Sequence, residues 1–187
     1  MKYLFCIYTD IEYKKHLGYF KKQRFYEQIC NDPDIEVIEW GADFHTDYKD
    51  LPIKTQQMMK WCSENKEYEY LIKCDDTIFD DKWSSYRPKL THENIFVEDR
   101  DYWGINYIGP HTDEVWKIYF DGHYGKNKID YNLNFIKNDI QFYEGKFYMI
   151  SKELSIFIGG QEKFAKNMAK NMPGVEDLMV GYLTESF

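Results

Sequence analysis

Tyr70-Leu-Ile-Lys-Cys-Asp75-Asp76-Thr-Ile-Phe79 drives an apolar run into two adjacent carboxylates and then resumes with Ile78 and Phe79. A buried strand that ends in paired acids holds negative charge at the carboxyl edge of a sheet, where open α/β folds place ligands. Paired carboxylates there could hold a divalent ion carrying a phosphorylated substrate. The same dipeptide also serves as a solvated turn after a strand, and the residues alone leave both readings open. A second acid pair, Glu176-Asp177, opens a helical pattern late in the chain. Carboxylates at a helix N-terminus stabilise the macrodipole and cap free N–H groups, and the same placement suits a general base. Two acid pairs on separate elements can divide labour, one fixing metal and phosphate, the other activating a hydroxyl.

Other routes to catalysis lack residues. The chain has no dinucleotide-binding glycine fingerprint, P-loop, HExxH helix, GxSxG elbow or EF-hand loop. His16, His45, His92, His111 and His123 are scattered without ligand spacing, so each reads as a surface or structural histidine. Cys6, Cys30, Cys62 and Cys74 form no CxxC pair and no zinc-like spacing; three lie in apolar runs, where free cysteine packs as a small hydrophobe. Free thiols fit a reducing, cytoplasmic compartment. A net charge of −8 argues against a protein that coats nucleic acid nonspecifically. The basic cluster of Lys14, Lys15, Lys21, Lys22 and Arg24 leaves a local groove open, and the solvated face of a helix explains it equally well. Aromatic residues make up 19% of the chain, enough to offer faces for sugar or base stacking, although a tyrosine-rich core accounts for the same number.

The elements that must position these groups follow from periodicity. Residues 2–8 suit a buried first strand. Thr9-Asp10 offers a cap for one long helical stretch, in which Leu17, Phe20, Phe25 and Ile29 share a face, up to the break at Asn31-Asp-Pro-Asp34. Ile35–Trp40 reads as a second strand ended by Gly41. Asp50-Leu-Pro52 reads as a capped helix start, with Leu51, Met58, Met59 and Cys62 on one face. Tyr70–Cys74 is the next strand. This β-α-β-α-β order predicts an α/β fold with a mainly parallel sheet and right-handed crossovers. Tyr102–Tyr107 and Val115–Phe120 read as strands around a Gly-Pro turn, Asp121 to Asp139 as loop, and Phe147–Ile150 as a short strand. Ser151 caps a helix ending at Gly159-Gly160, and a last helix opens near Val175. Length, and the lack of a repeat or linker, predict a single domain over residues 1–187, and the N-terminal apolar run is too short for a signal segment or membrane span. The chain is expected to be complete and cytoplasmic.

The order of the fragments resembles the β-1,3-galactosyltransferase and fringe-like glycosyltransferases, an inverting group with a GT-A fold. Asp47, Tyr48, Leu51, Lys54 and Thr55 match in outline that family's Asp-x-Tyr-x-Asn-Leu-Thr-x-Lys-Thr segment. Trp61 then falls on its Trp-bearing helix, and Lys73-Cys-Asp75-Asp76-Thr-Ile-Phe79 on its Lys-x-Asp-Asp-Asp-x-Phe. Gly104, Pro110 and Lys117 fall where the family has a Gly strand, a Pro and a Lys. Gly145-Lys-Phe-Tyr148-Met-Ile-Ser151 resembles its Gly-Gly-Gly-Tyr-Val-Leu-Ser, and Glu176-Asp177-Leu-Met-Val-Gly181 its Glu-Asp-Val-x-x-Gly. The similarity covers roughly residues 45–185.

The resemblance implies a nucleotide-sugar donor, commonly a UDP-sugar, and single-displacement transfer with inversion. It implies Asp177 as the base that takes the acceptor proton, and Asp75 and Asp76 as holders of Mn2+ or Mg2+. Lys54, Asp75, Gly145 and Lys146 are the expected donor-binding residues, and Glu176 and Trp103 the expected acceptor-binding residues. For Lys54, pairing with the acid cluster is the alternative role. The chain departs from the pattern where the third Asp, the family's usual metal ligand, falls on Thr77, a poor substitute toward a hard cation. It departs again where the Gly triplet is reduced to Gly145 before Lys146 and Phe147, so that Lys146 could offset diphosphate charge. The membrane anchor and stem of the family's secretory members are expected to be absent. The expected acceptor is a glycan or small hydroxyl compound. The alternatives are modified bases in phage DNA, a catalytically idle sugar-binding module of the same fold, and, without matching fragments, a metal-dependent nucleotidyltransferase. Oligomeric state is open.

Overall fold

Tyr3–Tyr8 (β1) is buried at every position, as a strand covered on both faces must be. The computed structural model describes residues 2–79, 90–93, 95–96, 100–109, 111–124, 131–135 and 140–187. β1 pairs in parallel with Ile35–Trp40 (β2) on one side and Tyr70–Asp75 (β3) on the other, with Tyr8 opposite Asp75 at the carboxyl edge. Phe147–Ser151 (β7) lies antiparallel between β3 and Tyr102–Gly104 (β4), giving a five-stranded sheet in the order β2-β1-β3-β7-β4. β4, antiparallel to β7 in turn, runs with β1, β2 and β3, so the sheet is mostly parallel. Tyr107–Ile108 (β5) and Phe142–Tyr143 (β6) form a separate two-stranded ribbon.

Period-2 alternation divides the core into two layers. Leu4, Cys6, Leu71, Tyr148 and Ile150 face the helices Leu51–Asn65 (α3), Lys152–Gly159 (α5), Glu162–Asn171 (α6) and Glu176–Ser186 (α7). Phe5, Ile7, Ile72 and Met149 face Lys14–Phe20 (α1), Arg24–Asn31 (α2) and Ile78, Phe79, Leu90 and Ile95. Each large side chain buried in these layers contributes about 1.5–3 kcal/mol relative to exposure. Among the described residues, no helix is long and apolar enough to cross a membrane.

Several elements differ from expectation. The long first helix breaks into a 3-10 turn at Ile11–Tyr13, α1 and α2, because Gln23 is extended. Asp50 makes no capping bond through its side chain; a 3-10 turn at Tyr48–Asp50 leads into α3, with Pro52 in its first turn. The Tyr102–Tyr107 strand is interrupted after Gly104. Val115–Phe120 is not a strand but part of the helix Asp113–Tyr124 (α4). Its β-branched and aromatic residues imitate a strand, yet Asp113 and Glu114 fill the first turn, the Thr112 hydroxyl accepts from Val115 N, and Trp116 and Phe120 are both buried one turn apart. The stretch expected as loop from Asp121 is therefore helical up to Tyr124; residues 125–130 and 136–139 of that stretch lie outside the described residues, as does Pro110. α6 was not foreseen.

Ser151 is the cap the sequence indicates. Its hydroxyl accepts from Leu154 N at 3.2 Å and donates to Asp101 Oδ1 at 2.8 Å. Ser151→Ala is expected to cost about 1–2 kcal/mol and to lower Tm by roughly 2–8 °C, measured by calorimetry; an unchanged Tm would refute the capping role.

Candidate functional site

The site forms where antiparallel β7 starts beside the end of parallel β3. The ladder continues past the strands, with Asp75 N donating to Lys146 O at 2.9 Å and Asp76 N to Tyr8 O at 3.1 Å. The turn Gly145-Lys146 is thus fixed against Asp75. The Pro173-Gly174 bend brings α7 to the same edge: Gly174 has φ +79°, a region glycine tolerates best, and its N–H donates to Lys49 O at 3.1 Å. Gly145 meets a different demand, since a Cβ there would collide with Glu176 Oε1.

The acids around this edge share one buried cation. Lys73, fully buried in β3, ion-pairs with Asp75 Oδ1 at 2.6 Å and donates to Glu176 Oε1 at 3.0 Å and to the carbonyl of Gly145. Its ammonium lies 4.4 Å from the centre of the Tyr8 ring and 5.6 Å from that of Tyr148. Burial opposes its charge, but Asp75 and Glu176 outweigh that penalty and hold the group above the ordinary lysine value. Asp177, next to Glu176, accepts from Gly145 N at 3.2 Å and from Leu178 N at 2.9 Å. Burial and then the Glu176 charge push its pKa well above the usual carboxylate range, against the pull of those N–H groups and Lys73.

Beside this edge opens a cleft of about 430 Å³. Asp75, Glu144, Gly145, Lys146, Glu176 and Asp177 line its polar side; Tyr48, Ile108, His111, Trp116, Tyr119 and Phe142 form an aromatic and apolar wall. The Tyr48 and Tyr119 hydroxyls meet at 2.6 Å, joining the start of α3 to α4. Partial burial holds His111 below its ordinary pKa. No protein-family model matches this chain, and no curated protein matches it. An acid with a raised pKa, held by backbone N–H groups at the wall of a cleft with one lysine at its rim, has the chemistry to exchange a proton with a ligand placed there.

Of the residues singled out in the sequence, Asp75, Gly145, Lys146, Glu176 and Asp177 meet on this cleft. Lys54 does not line it. Lys54 is buried behind the end of β1, where it donates to Thr9 O and lies 3.9 Å from Asp10 Oδ2; its nearest acid is thus Asp10, while the charges of Asp75 and Asp76 also favour its ammonium form. Trp103 alternates to the opposite face of the sheet, against Phe147, and is not brought to the cleft. The basic cluster of α1 and α2 also lies on that opposite side, with Lys21 paired to Glu39 at 2.5 Å. Lys73 was missed as a site residue. Its signal was a lysine in mid-run of an apolar strand, which requires a buried partner.

The two acids proposed for a metal point differently. Asp75 Oδ1 faces Lys73 and Oδ2 lies 3.4 Å from Lys146 Nζ. Asp76 is buried and accepts from the Thr9 hydroxyl at 2.5 Å. Among the described residues, one set of three acid or imidazole groups has ligand atoms within 4.8 Å of one another: Asp10, Glu12 and His45. There Asp10 accepts from Glu12 N, Thr46 N and His45 Nδ1 at 2.8–3.0 Å, bonds that pin the segment after β2 to the end of β1.

Burial pushes the Asp76 pKa up to about 6, with Asp75 adding to the rise and the Thr9 hydroxyl opposing it. The folded state then holds this proton more tightly than the unfolded chain does. This group therefore weakens stability as pH rises from about 4 to 6, and the loss persists above that window. Asp76→Asn is expected to raise Tm at pH 7.5, by a stabilisation on the order of 2 kcal/mol. The gain should vanish below about pH 4. Thermal scans across pH check it; a variant less stable than wild type at pH 7.5 would show that the ionised form is the favoured one.

Proposed function

We propose that this protein is an inverting glycosyltransferase of the GT-A type, moving a sugar from a nucleotide-sugar donor, a UDP-sugar by resemblance, to an acceptor hydroxyl. The supporting observation is convergence. Asp75, the Gly145-Lys146 turn and Glu176-Asp177, which resemble three separate motifs of one family, line a single cleft at the carboxyl edge of a mostly parallel sheet. The cleft volume suits a small ligand.

In this mechanism Asp177 accepts the proton of the attacking hydroxyl. Its raised pKa brings it closer to the optimum for a base working near neutral pH, and the Gly145 and Leu178 N–H groups fix its orientation. The aromatic wall of Tyr48, Trp116 and Tyr119 provides faces on which a sugar or base can stack and keeps water from the reacting centre. Glu176 is committed to Lys73 and shapes the acceptor side through its charge.

A divalent ion, when bound, would supply Lewis-acid stabilisation of the departing diphosphate. The carboxylates fit one poorly as arranged, because Asp75 is shared by two ammonium groups and Asp76 is turned to Thr9. Lys146 Nζ lies 2.8 Å from Thr77 Oγ1, beside the position where the family carries its third acid. Lys146 therefore takes the role of balancing the diphosphate. The same saturation of Asp75 favours a second reading, an idle sugar-binding module of this fold. No observation on the cleft favours DNA as acceptor.

A thermal-shift panel of nucleotide sugars, with Mn2+ and with chelator, tests these readings together. A donor at about a hundred times its Kd should add about 2.7 kcal/mol and raise Tm by roughly 5–10 °C with chelator present. Lys146→Ala should weaken the donor about tenfold, and Asp177→Asn should retain donor binding while losing about 10²–10⁴ in turnover. Binding without turnover in wild type selects the idle module. No shift with any nucleotide sugar rejects both.

A further inference from the structure

Lys73, Gly145, Asp177 and Glu176 close a ring of contacts. The Lys73 ammonium holds the Gly145 carbonyl on one side and Glu176 Oε1 on the other. Gly145 N–H in turn holds Asp177 Oδ2, and Glu176 precedes Asp177 on α7. Both neighbours of the Asp177 carboxylate are therefore fastened to one atom of β3, although Lys73 lies beneath the cleft wall. We propose that Lys73 is the positioning residue of this site, tying α7 and the Gly145 turn to the sheet and setting the charge that Asp177 faces.

The ring explains why a lysine is required at this point. A neutral hydrogen-bond donor could hold Gly145 and Glu176 but would leave Asp75 and Glu176 as two buried charges beside Asp177. The groups that surround Asp177 are Lys73 and Asp75 from β3, Glu144 and Lys146 flanking the Gly145 turn, Tyr102 from β4, Tyr148 from β7, Tyr119 from α4 and Glu176 from α7 itself. Acids outnumber ammonium groups there, so loss of Lys73 leaves the balance strongly negative. An arginine in its place would have to fit a planar fork into a space closed by Tyr8 and Tyr148. The role rests on Asp177 being the base proposed above, but its physical content does not need turnover to be measured.

The test is a ¹³C NMR titration of the Asp177 carboxyl in the full chain, in wild type, Lys73→Met, Glu176→Gln and the double variant. Removing the cation should raise the Asp177 midpoint, and removing Glu176 should lower it by a larger amount. The double variant should titrate above Glu176→Gln alone. Lys73→Met leaves two acids without their buried partner and is the variant most exposed to misfolding; the comparison of Glu176→Gln with the double variant then carries the test, since one of those acids is gone. If the Asp177 midpoint is the same in Glu176→Gln and the double variant, Lys73 does not govern it and the inference falls. If the midpoints move as expected but no nucleotide sugar binds or turns over, the positioning role stands and the transferase reading is the one that fails.

Discussion

A lysine ammonium with no access to solvent constrains everything at the carboxyl edge of this sheet. Taking such a charge out of water costs several kcal/mol, offset only by close anions and a full set of acceptors. Lys73 finds them on three parts of the chain: Asp75 at the end of its own strand, the Gly145 carbonyl in the turn before β7, and Glu176 at the start of α7. No one of the three suffices. The strand end, the turn and the helix start are thus required to meet. Removing the cation would leave two carboxylates exposed to a loss of about 3–5 kcal/mol, the usual cost of breaking a buried pair from one side.

A second buried lysine extends the same logic across the edge. Lys54 lies 4.5 Å from the Tyr8 ring centre, as Lys73 lies 4.4 Å from it, and Tyr8 sits opposite Asp75 in register. The Tyr8 hydroxyl bonds Thr55 Oγ1 at 3.0 Å, which fixes the ring against α3. A ring with two ammonium groups near its centre gains cation–π attraction from each. Lys54 differs in outcome, because burial, helped by the nearby Lys73 charge, outweighs the acids Asp10, Asp75 and Asp76 and lowers its pKa. One lysine is thereby locked in its charged form by two carboxylates and the other is held less firmly.

How much of this was legible in the sequence follows from the range of the interactions involved. β1, β2, β3, β7 and the Ser151 cap depend on local pattern and could be read directly. α4 could not, because Val115, Trp116, Ile118, Tyr119 and Phe120 have strand-like side chains whose helical spacing is visible only with Thr112, Asp113 and Glu114 taken as the start. The acids of the site were visible singly, and the family resemblance set them in order. Their meeting depends on the β3–β7 pairing, which has no local signature, and on the Gly174 bend, which Pro173-Gly174 marks in the sequence as a break without giving its direction. Trp103 shows the same limit: one step of strand alternation, set by its pairing with Met149, decides the face on which it lies. Lys73 was in view throughout, and its apolar neighbours already indicated a buried charge without naming its partners.

The edge that gathers these residues is also where the fold gives up stability. The surroundings of Asp76 and Asp177 disfavour their charged forms, and the fully buried Tyr148 hydroxyl has no hydrogen-bond partner among the described residues. Each would be less costly as a neutral or apolar group of similar shape. The two hydrophobic layers beneath are mostly apolar and closely packed on both faces of the sheet, although Tyr148 itself belongs to one of them and Gln56 Oε1 on α3 also lacks a hydrogen-bond partner among the described residues. Departures from local rules that gather at one sheet edge are expected where a site is built. The departure is directional as well. At Asp177 the surroundings favour the protonated carboxyl while Lys73 and two N–H groups favour the anion, so the group is held between its two forms.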